Sequence, residues 1–288
     1  MTPNTKGALF MMCSMAAFTI NDTFIKATNG ALPLFQVLTM RGILSTVLIF
    51  VLAWRLGGLD FRMSRKDAIL VGLRSLSETA AAYFFLTALF HLPLATVTAT
   101  LQALPLTVTL GAALFFREPV GWRRALAILA GFCGMLLIVR PGPDGFNLYA
   151  SYALFAVVFI TARDLTTRRM SGAVHSMTVT FCSSSAVLVF SAVLMTREEW
   201  VPMEPVHWAL VLGSAVFVFG GYLFSVLVMR IGDVSFVAPF RYTGLLWALL
   251  LGWLVFGDWP DNVTMIGAAI VVATGLFALY RERIASRG

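Results

Sequence analysis

The sequence contains little charge. Asp, Glu, Lys and Arg make up 12% of its 288 residues, about half the fraction of ordinary soluble domains, whereas 59% of the residues are hydrophobic. So much apolar surface can be hidden only in lipid, which excludes a soluble globular protein and predicts an all-α polytopic membrane protein. The net charge of +7 does not indicate a nucleic-acid partner, because the basic residues stand in short stretches between apolar runs, as membrane orientation requires.

Cysteine, histidine and catalytic motifs are scarce as well. The chain has 3 cysteines and 3 histidines, and Cys13, Cys133 and Cys182 lie in separate apolar segments without CxxC or metal-ligand spacing. No HExxH, GxSxG or phosphate-binding GxxxxGKS/T motif is present. The sequence therefore predicts no metal, no cofactor and no enzymatic activity. Without an ATPase motif, uphill transport would have to draw on an ion or solute gradient.

What the sequence does contain is a series of apolar runs long enough to cross a bilayer. The clearest is the ninth, which carries one charge, Arg241, and is followed by the turn Gly-Asp-Trp-Pro-Asp. In the sixth run, Arg163 and Asp164 are expected to cut the helix short. Ten membrane helices are predicted, at 7–27, 34–54, 69–90, 95–116, 122–140, 147–164, 173–195, 207–229, 235–256 and 262–280.

The lysines and arginines predict the orientation. If the N-terminus is cytoplasmic, fifteen of them fall on the cytoplasmic side, including Arg163 after the sixth run, and three fall on the other side, namely Lys26, Arg140 and Arg197. Cytoplasmic loops carry this excess in membrane proteins. The sequence therefore predicts a multi-pass protein of a bacterial-type cytoplasmic (inner) membrane, with both termini in the cytoplasm and the lipid bilayer as a partner.

An internal repeat relates the two halves of the chain. A shift of 140 positions places Val97, Leu106, Leu110, Leu114 and Phe116 on Val237, Leu246, Leu250, Leu254 and Phe256, and Glu118 on Asp258. Each of these two acids is followed within two residues by proline. Because five helices are an odd number, the halves must run through the membrane in opposite senses. The sequence predicts two inverted domains, 1–140 and 141–288, around a shared site near mid-membrane.

These residues make the chain similar to the drug/metabolite transporter superfamily, of the type with two EamA domains. The resemblance is carried by Asn21-Asp22 and Lys26, the Glu118-Pro119 turn, Ala238 to Tyr242 leading into Leu246-Trp247-Ala248, and Phe256 to Pro260. It implies ten helices in two inverted repeats. It also implies secondary active transport of a small polar organic metabolite (an amino acid, nucleoside-like or vitamin-like solute) by alternating access. The order Asn-Asp with Phe-Arg-Tyr resembles carriers of riboflavin or S-adenosylmethionine, which is the alternative.

Charged residues inside the predicted helices need a partner or a wet cavity. Arg74 and Glu78 are spaced i, i+4 on one face of the third helix. They form either a structural ion pair or a site in which Glu78 meets a substrate group or a coupling proton. Asp22 is expected to pair with Arg41 or with Lys26, either as a structural contact or as a gate that opens when the pair breaks.

Arg241 and its neighbours are the second candidate site. Arg241 lies about 9 Å inside the ninth helix, where it could snorkel to the interface or hold a carboxylate or phosphate. Tyr242, Trp247 and Tyr83 are expected to form the apolar walls of the substrate site. Further polar-tipped residues near helix interfaces are Gln102, Tyr149, Tyr152 and Tyr222.

Two other classes of protein fit the sequence less well. An intramembrane enzyme would need a cluster of His, Asp or Glu, and the sequence offers mainly Asp22 and Glu78 in separate helices. A non-transporting scaffold would need long loops or tails for its partners, and the connections are short. A small-molecule substrate, a coupling proton or counter-solute, and a homodimer are compatible with the sequence.

Overall fold

A computed structural model of the chain describes residues 3–55, 57–117, 121–139, 147–231 and 237–285, and regular structure in these ranges is helical throughout. The helices are α1 Pro3–Lys26, α2 Leu34–Arg55, α3 Arg65–His91, α4 Leu94–Leu101, α5 Leu104–Phe116, α6 Trp122–Val139, α7 Leu148–Arg169, α8 Ser176–Met195, α9 Pro205–Ile231, α10 Thr243–Phe256 and α11 Asn262–Ala285. A 3₁₀ turn, Ala238–Tyr242, precedes α10.

These helices confirm the predicted fold class of ten membrane passes. Nine helical stretches in the described ranges are long and apolar enough to cross a bilayer, and the shorter apolar helix Ala125–Val139 provides the tenth. α4 and α5 together form the fourth pass, and the 3₁₀ turn with α10 forms the ninth. Every other α-helix makes one pass.

The predicted end of the sixth helix is wrong. α7 continues through Arg163 and Asp164 to Arg169. The charges do not end the helix because both side chains have ionic partners inside the bundle. Arg163 therefore lies within a pass and does not belong with the loop cations, so the orientation count becomes fourteen against three.

The backbone repeats where the sequence repeats. The fourth pass is interrupted at residues 102–103, and the ninth pass changes from a 3₁₀ turn to an α-helix between Tyr242 and Thr243, 140 positions later. Both passes end in the left-handed region, at Arg117 with φ 56° and at Gly257 with φ 69°, which are also 140 positions apart. Arg117 is the one described residue other than glycine with a positive φ. Glu118 and Pro119, which follow it, lie outside the described residues.

The packing of the helices is unchanged when the two halves are exchanged. α1 packs against α9, and their counterparts α7 and α3 pack against each other. The contact of α3 with α8 is matched by that of α9 with α2, and the contact of α1 with α10 by that of α7 with α5. The pairs α2–α8 and α6–α11 are their own counterparts. This exchange symmetry is the expected signature of inverted repeats.

One end of the bundle is sealed by hydrogen bonds. The distal face is the end formed by the connections 27–33, 92–93, 196–204 and 257–261; the terminal face is the opposite end, where the chain starts. Lys26 Nζ donates to the carbonyls of Leu92 at 2.6 Å and Leu89 at 3.1 Å, and Asn29 donates to Phe90 at 2.6 Å. These bonds tie the end of α1 to the end of α3.

A second set of contacts extends the distal seal to α2. The Gln36 amide exchanges two hydrogen bonds with the backbone of Val201, at 2.7 and 3.1 Å. Lys26 also lies 5.5 Å from the centre of the Phe256 ring. The polar interior is therefore closed off on the distal side.

Candidate functional site

A cavity of about 540 Å³ lies between the two halves of the bundle. Its deep part is lined by residues such as Asp22, Phe85 and Thr98 on the distal side of the bundle. Its lining continues to Thr167 and Arg241, which are exposed, near the terminal face. The cavity is thus shut on the distal side and lined by exposed residues on the terminal side, the form of a transport intermediate open to one side of the membrane.

Close packing of α1 on α9 brings Tyr222 into this cavity. Ser14 donates a hydrogen bond of 2.8 Å to the carbonyl of Gly221, and a Cβ at Gly221 would stand 2.7 Å from the Phe18 ring. Small residues permit such close approach of membrane helices. The Tyr222 ring then meets Phe18 edge-on, with 5.4 Å between ring centres. Tyr222 lies within electrostatic range of Glu78, Arg163 and Arg41.

Glu78 and Arg163 form the centre of an ion-pair network across the repeat interface. Arg163 Nη1 lies 3.2 Å from Glu78 Oε2, and the same guanidinium reaches Asp164 at 2.9 Å through both Nε and Nη2. The predicted partner Arg74 is farther from Glu78, at 3.9 Å. The main partner of Glu78 therefore comes from the other repeat.

Arg74 is held by hydroxyl groups of the second half. It donates a hydrogen bond of 3.0 Å to Thr167 and another to Ser183. Ser75 also contacts Ser183, with 3.3 Å between their hydroxyl oxygens. These bonds hold the Arg74 guanidinium beside α7 and α8, where this planar group of N–H donors faces the cavity.

Asp22 has a different environment. The Asn21 amide donates a hydrogen bond of 2.9 Å to Asp22 Oδ1, and Arg41 Nη1 donates one of 3.3 Å to Asn21 Oδ1. Asn21 thus stands between the acid and the arginine that were predicted to pair directly. Lys26, the other predicted partner, is bound to the carbonyls of α3 instead. In the described part of the chain, Arg41 Nε is buried without a hydrogen-bond partner.

The two interrupted passes meet at the cavity wall. The Gln102 amide approaches the Tyr242 carbonyl at 3.5 Å, so the breaks in the fourth and ninth passes face each other. Arg241 lines the cavity beside them and is exposed. The Tyr242 hydroxyl points away from this contact and fills the space at Gly275 of α11 where a side chain would stand.

The predicted site residues divide into two groups. The cavity is lined by Asp22, Arg41, Arg74, Glu78, Arg241 and Tyr242. Tyr83 and Trp247, which were expected to form its walls, are not among the lining residues. Tyr83 is stacked on Phe35 within an aromatic cluster between α2, α3, α7 and α8. The indole nitrogen of Trp247 is buried without a partner in the described residues.

Sequence reasoning missed the role of Arg163. Its position was interpreted as the end of a helix, because adjacent Arg and Asp normally mark an interface. The missed signal is a match between the repeats. Asp22 and Asp164 are 142 positions apart, as are the first residues of α2 and α8, so an intramembrane acid in the first helix predicts another in the sixth.

The donor set does not favour a metal. Among the described residues, no group of three or more His, Cys, Asp or Glu side chains is arranged to hold a metal ion. What the arrangement provides is four arginines and three carboxylates around a space the size of a small metabolite. Such a site can bind and release a polar solute.

Comparisons with known proteins agree with this geometry. The family model described as the EamA-like transporter family matches the chain twice, over residues 5–140 and 147–280. The chain is 24% identical to the pseudopaline exporter CntI of Pseudomonas aeruginosa, over 92% of this chain and 93% of that protein. It is 24% identical to the S-adenosylmethionine uptake transporter of Rickettsia prowazekii, over 96% of this chain and 93% of that protein.

Two further similarities differ in how much of the chain they cover. The riboflavin transporter of Vibrio cholerae is 31% identical over 66% of this chain and 63% of its own length. A solved crystal structure superimposes with a TM-score of 0.66 at 17% identity and covers 98% of this chain and 99% of its own, which supports the fold alone. The two family matches together cover nearly the whole sequence, so the chain belongs to the EamA-like transporter family.

Proposed function

We propose that this chain carries a small organic solute with a carboxylate or phosphate group across the cytoplasmic membrane by alternating access. The observation that carries the proposal is the excess of positive charge in the cavity. Four arginines face three carboxylates there, which leaves one cation unbalanced when all seven are ionised. An uncompensated cation that faces a cavity inside the helix bundle attracts an anion, and an anionic group of the solute supplies that partner.

Arg241 is the cation best placed to receive this group. Within the described residues it has no hydrogen bond or ion pair, whereas Arg74 and Arg163 are bound to hydroxyls and carboxylates. Its guanidinium can bind a carboxylate or phosphate through two parallel hydrogen bonds. The relatives that transport riboflavin, S-adenosylmethionine and pseudopaline support a metabolite of this size as the cargo.

A matched pair of probes tests the anionic group. Riboflavin and flavin mononucleotide share one ring system and differ by a phosphate, so their binding to purified protein isolates the charge. We expect the mononucleotide to bind more tightly than riboflavin. Arg241→Gln removes a charge-assisted interaction of about 1.5–3 kcal/mol, so it is expected to weaken binding of the mononucleotide by roughly 10- to 100-fold.

Arg55→Gln is the control for this substitution. Arg55 is an exposed arginine at the end of α2 that does not line the cavity, so its removal should leave both affinities unchanged. Equal binding of the two flavins by the wild type, or an unchanged affinity in Arg241→Gln, would overturn the proposal. S-adenosylmethionine, which carries a carboxylate although its net charge is positive, serves as a second probe for recognition of a carboxylate group.

We also propose that both termini lie in the cytoplasm. The support is the distribution of lysines and arginines at helix ends and connections, fourteen toward the terminal face against three toward the distal face. Reporter fusions at residue 1, residue 288 and within 196–204 test it: the first two should report cytoplasm and the third the opposite side. Termini on opposite sides would contradict the arrangement.

A further inference from the structure

Two carboxylates of the cavity occupy matching positions in the two repeats. Asp22 of α1 and Asp164 of α7 are 142 positions apart, the same separation as the first residues of α2 and α8. A contact at the helix ends supports the match: Lys26 lies 5.5 Å from the centre of the Phe256 ring, and Arg169 and Arg168 lie 4.1 and 6.0 Å from the centre of the Phe116 ring. The repeats therefore place one acid toward the distal face and its counterpart toward the terminal face.

The residue before each acid makes the two sites different. Asn21 precedes Asp22, whereas Arg163 occupies the matching position before Asp164. Arg163 neutralises Asp164 at 2.9 Å through two nitrogens. Asn21 gives Asp22 a single neutral hydrogen bond, and no cation in the described residues forms an ion pair with Asp22 within 4.0 Å.

Protonation consequently has different effects at the three carboxylates of the cavity. A proton on Glu78 or Asp164 would break an ion pair and leave Arg163 with one anionic partner fewer. Loss of such a partner in a buried site is strongly unfavourable. A proton on Asp22 breaks no ion pair, and it removes a charge that has little solvation. Asp22 is the acid that can change its protonation state without dismantling the network.

The groups facing Asp22 are compatible with this role. From α2 and α3 it shares the cavity with Arg41, Arg74 and Glu78. α7 presents the Arg163–Asp164 pair, and α9 and the 3₁₀ turn present Tyr222, Arg241 and Tyr242.

Arg41 is the cation in electrostatic range of Asp22, and its buried Nε has no partner among the described residues. Arg41 can therefore turn to the ionised acid and return to Asn21 when the acid is protonated.

We propose that Asp22 binds and releases the coupling proton of transport, while Asp164 stays ionised beside Arg163. In this step an Asp22 carboxylate oxygen accepts a proton from hydronium in the cavity, so that an O–H bond of hydronium breaks, an O–H bond of the carboxylic acid forms and water remains. After the cavity has changed sides, this O–H bond breaks and the proton passes to water, which becomes hydronium. The inference rests on the proposed function, since a coupling proton requires a transported solute. It assigns the two matching acids to different tasks.

Infrared spectroscopy tests the proton site without any solute. Difference spectra of purified protein between neutral and mildly acidic buffer are recorded in a Glu198→Gln background, because burial also raises the pKa of the Glu198 carboxyl. We expect the carboxylic-acid C=O band of this background to disappear when Asp22→Asn is added and to persist with the matched control Asp164→Asn. A band that persists with Asp22→Asn, or no band in the background protein, would overturn the assignment.

Transport by proteoliposomes tests the coupling. For one proton per solute, and with the membrane potential held at zero, a gradient of one pH unit supports about ten-fold accumulation of labelled S-adenosylmethionine or flavin mononucleotide. Asp22→Asn is expected to exchange labelled for unlabelled solute at equal pH but to lose the accumulation. The control Asp60→Asn, which changes an exposed acid in the connection between α2 and α3 outside the cavity, should retain the accumulation. Accumulation by Asp22→Asn would overturn the inference. If the wild type moves neither probe, the proposed solute class fails, whereas the infrared result still decides the role of Asp22.

Discussion

Arg163 and Glu78 hold the two repeats together at the level of single side chains. Their side chains are 23% and 16% exposed, so both charges are largely withdrawn from water. Removing one partner of a buried ion pair typically costs about 3–5 kcal/mol, because the other charge is left without compensation. We expect Arg163→Met to lower the thermal unfolding midpoint of the purified protein strongly, and the double change Arg163→Met with Glu78→Met to recover part of the loss.

Asp60→Asn is a suitable control for the ion pair. Asp60 is an exposed acid in the connection between α2 and α3, and its replacement should alter the midpoint far less. If the double variant were as unstable as the sum of the single variants, the charges would not be coupled. The ion-pair account of these two residues would then be wrong.

Glu198 gives a prediction about pH. It lies between α8 and α9, outside the membrane passes, and accepts backbone hydrogen bonds from Phe35 and Gln36 at the start of α2. Its Oε2 is buried without a partner in the described residues. Burial raises the pKa of this carboxyl above its usual range, although the two backbone bonds act in the opposite direction. The folded protein therefore binds the Glu198 proton more tightly than the unfolded chain does.

The sign of the effect follows from linkage. Stability contributed by Glu198 is fully present below the ordinary glutamate pKa and is lost as pH rises through the raised pKa of the folded state. Glu198→Gln cannot ionise, so its thermal midpoint should rise relative to wild type between acidic and neutral pH. Glu199→Gln, at the exposed neighbouring position, should run parallel to wild type. A Glu198→Gln curve parallel to wild type would refute the assignment.

The sequence predicts the types of side chain in the site better than their partners. Asp22, Arg41, Arg74, Glu78 and Arg241 were all expected inside the membrane, because a charge within an apolar run has few explanations. Which acid pairs with which arginine depends on contacts between distant helices.

Helical spacing relates Arg74 to Glu78 but says nothing about Arg163, which comes from the other half. The pairing of Arg163 with Glu78 therefore could not be predicted from the sequence.

Among the elements, the contact of the ninth and tenth passes depends on one glycine. The Tyr242 hydroxyl occupies the position that a Cβ at Gly275 would take, so Gly275→Ala must displace the ring or the helix. Overpacking of this kind typically costs about 1–3 kcal/mol. We expect Gly275→Ala to lower the unfolding midpoint and Tyr242→Phe to restore part of the loss in the double variant.

Gly72 offers the matched control. It lies in the interior of α3 with nothing within 4 Å of an added Cβ, so Gly72→Ala should be neutral or slightly stabilising. Equal losses in Gly72→Ala and Gly275→Ala would show that the contact with the Tyr242 hydroxyl does not govern the effect.

The apolar runs predict the existence of the membrane helices but not their interruptions. A long uncharged run of this kind is stable in lipid as a helix, because a helix satisfies its own backbone hydrogen bonds. The membrane passes could therefore be predicted from the sequence. The break at residues 102–103 and the 3₁₀ turn before α10 have no comparable pattern in composition. They form because the two passes face each other, with Gln102 directed at the Tyr242 carbonyl.

For the whole molecule, Lys26 is expected to control which side of the cavity is shut. It joins the end of α1 to two carbonyls of α3 and to the Phe256 ring. Lys26→Met removes the two charge-assisted hydrogen bonds, each worth about 1.5–3 kcal/mol, and keeps much of the apolar stem. We expect the population open on the distal side to increase. A cysteine introduced at Thr98, in the deep part of the cavity, should then react faster with an impermeant maleimide applied from that side.

Lys6→Met is the control, since Lys6 is an exposed lysine near the start of α1. It should leave the labelling rate at position 98 unchanged. An unchanged rate in Lys26→Met would show that the distal seal does not depend on this lysine. The remaining hydrogen bonds, from Asn29 to Phe90 and between Gln36 and Val201, would then be the principal closure.

The interchangeable packing of the two halves predicts a second conformation of the protein. If each half adopts the shape now held by the other, the same list of helix neighbours results, while the entrance moves to the opposite leaflet. In that alternate form Arg168 and Phe116 would inherit the sealing task of Lys26 and Phe256. One folded arrangement of this polypeptide thus specifies a second. An atomic template for the state open at the distal face can be built by exchanging the backbone conformations of the two repeats.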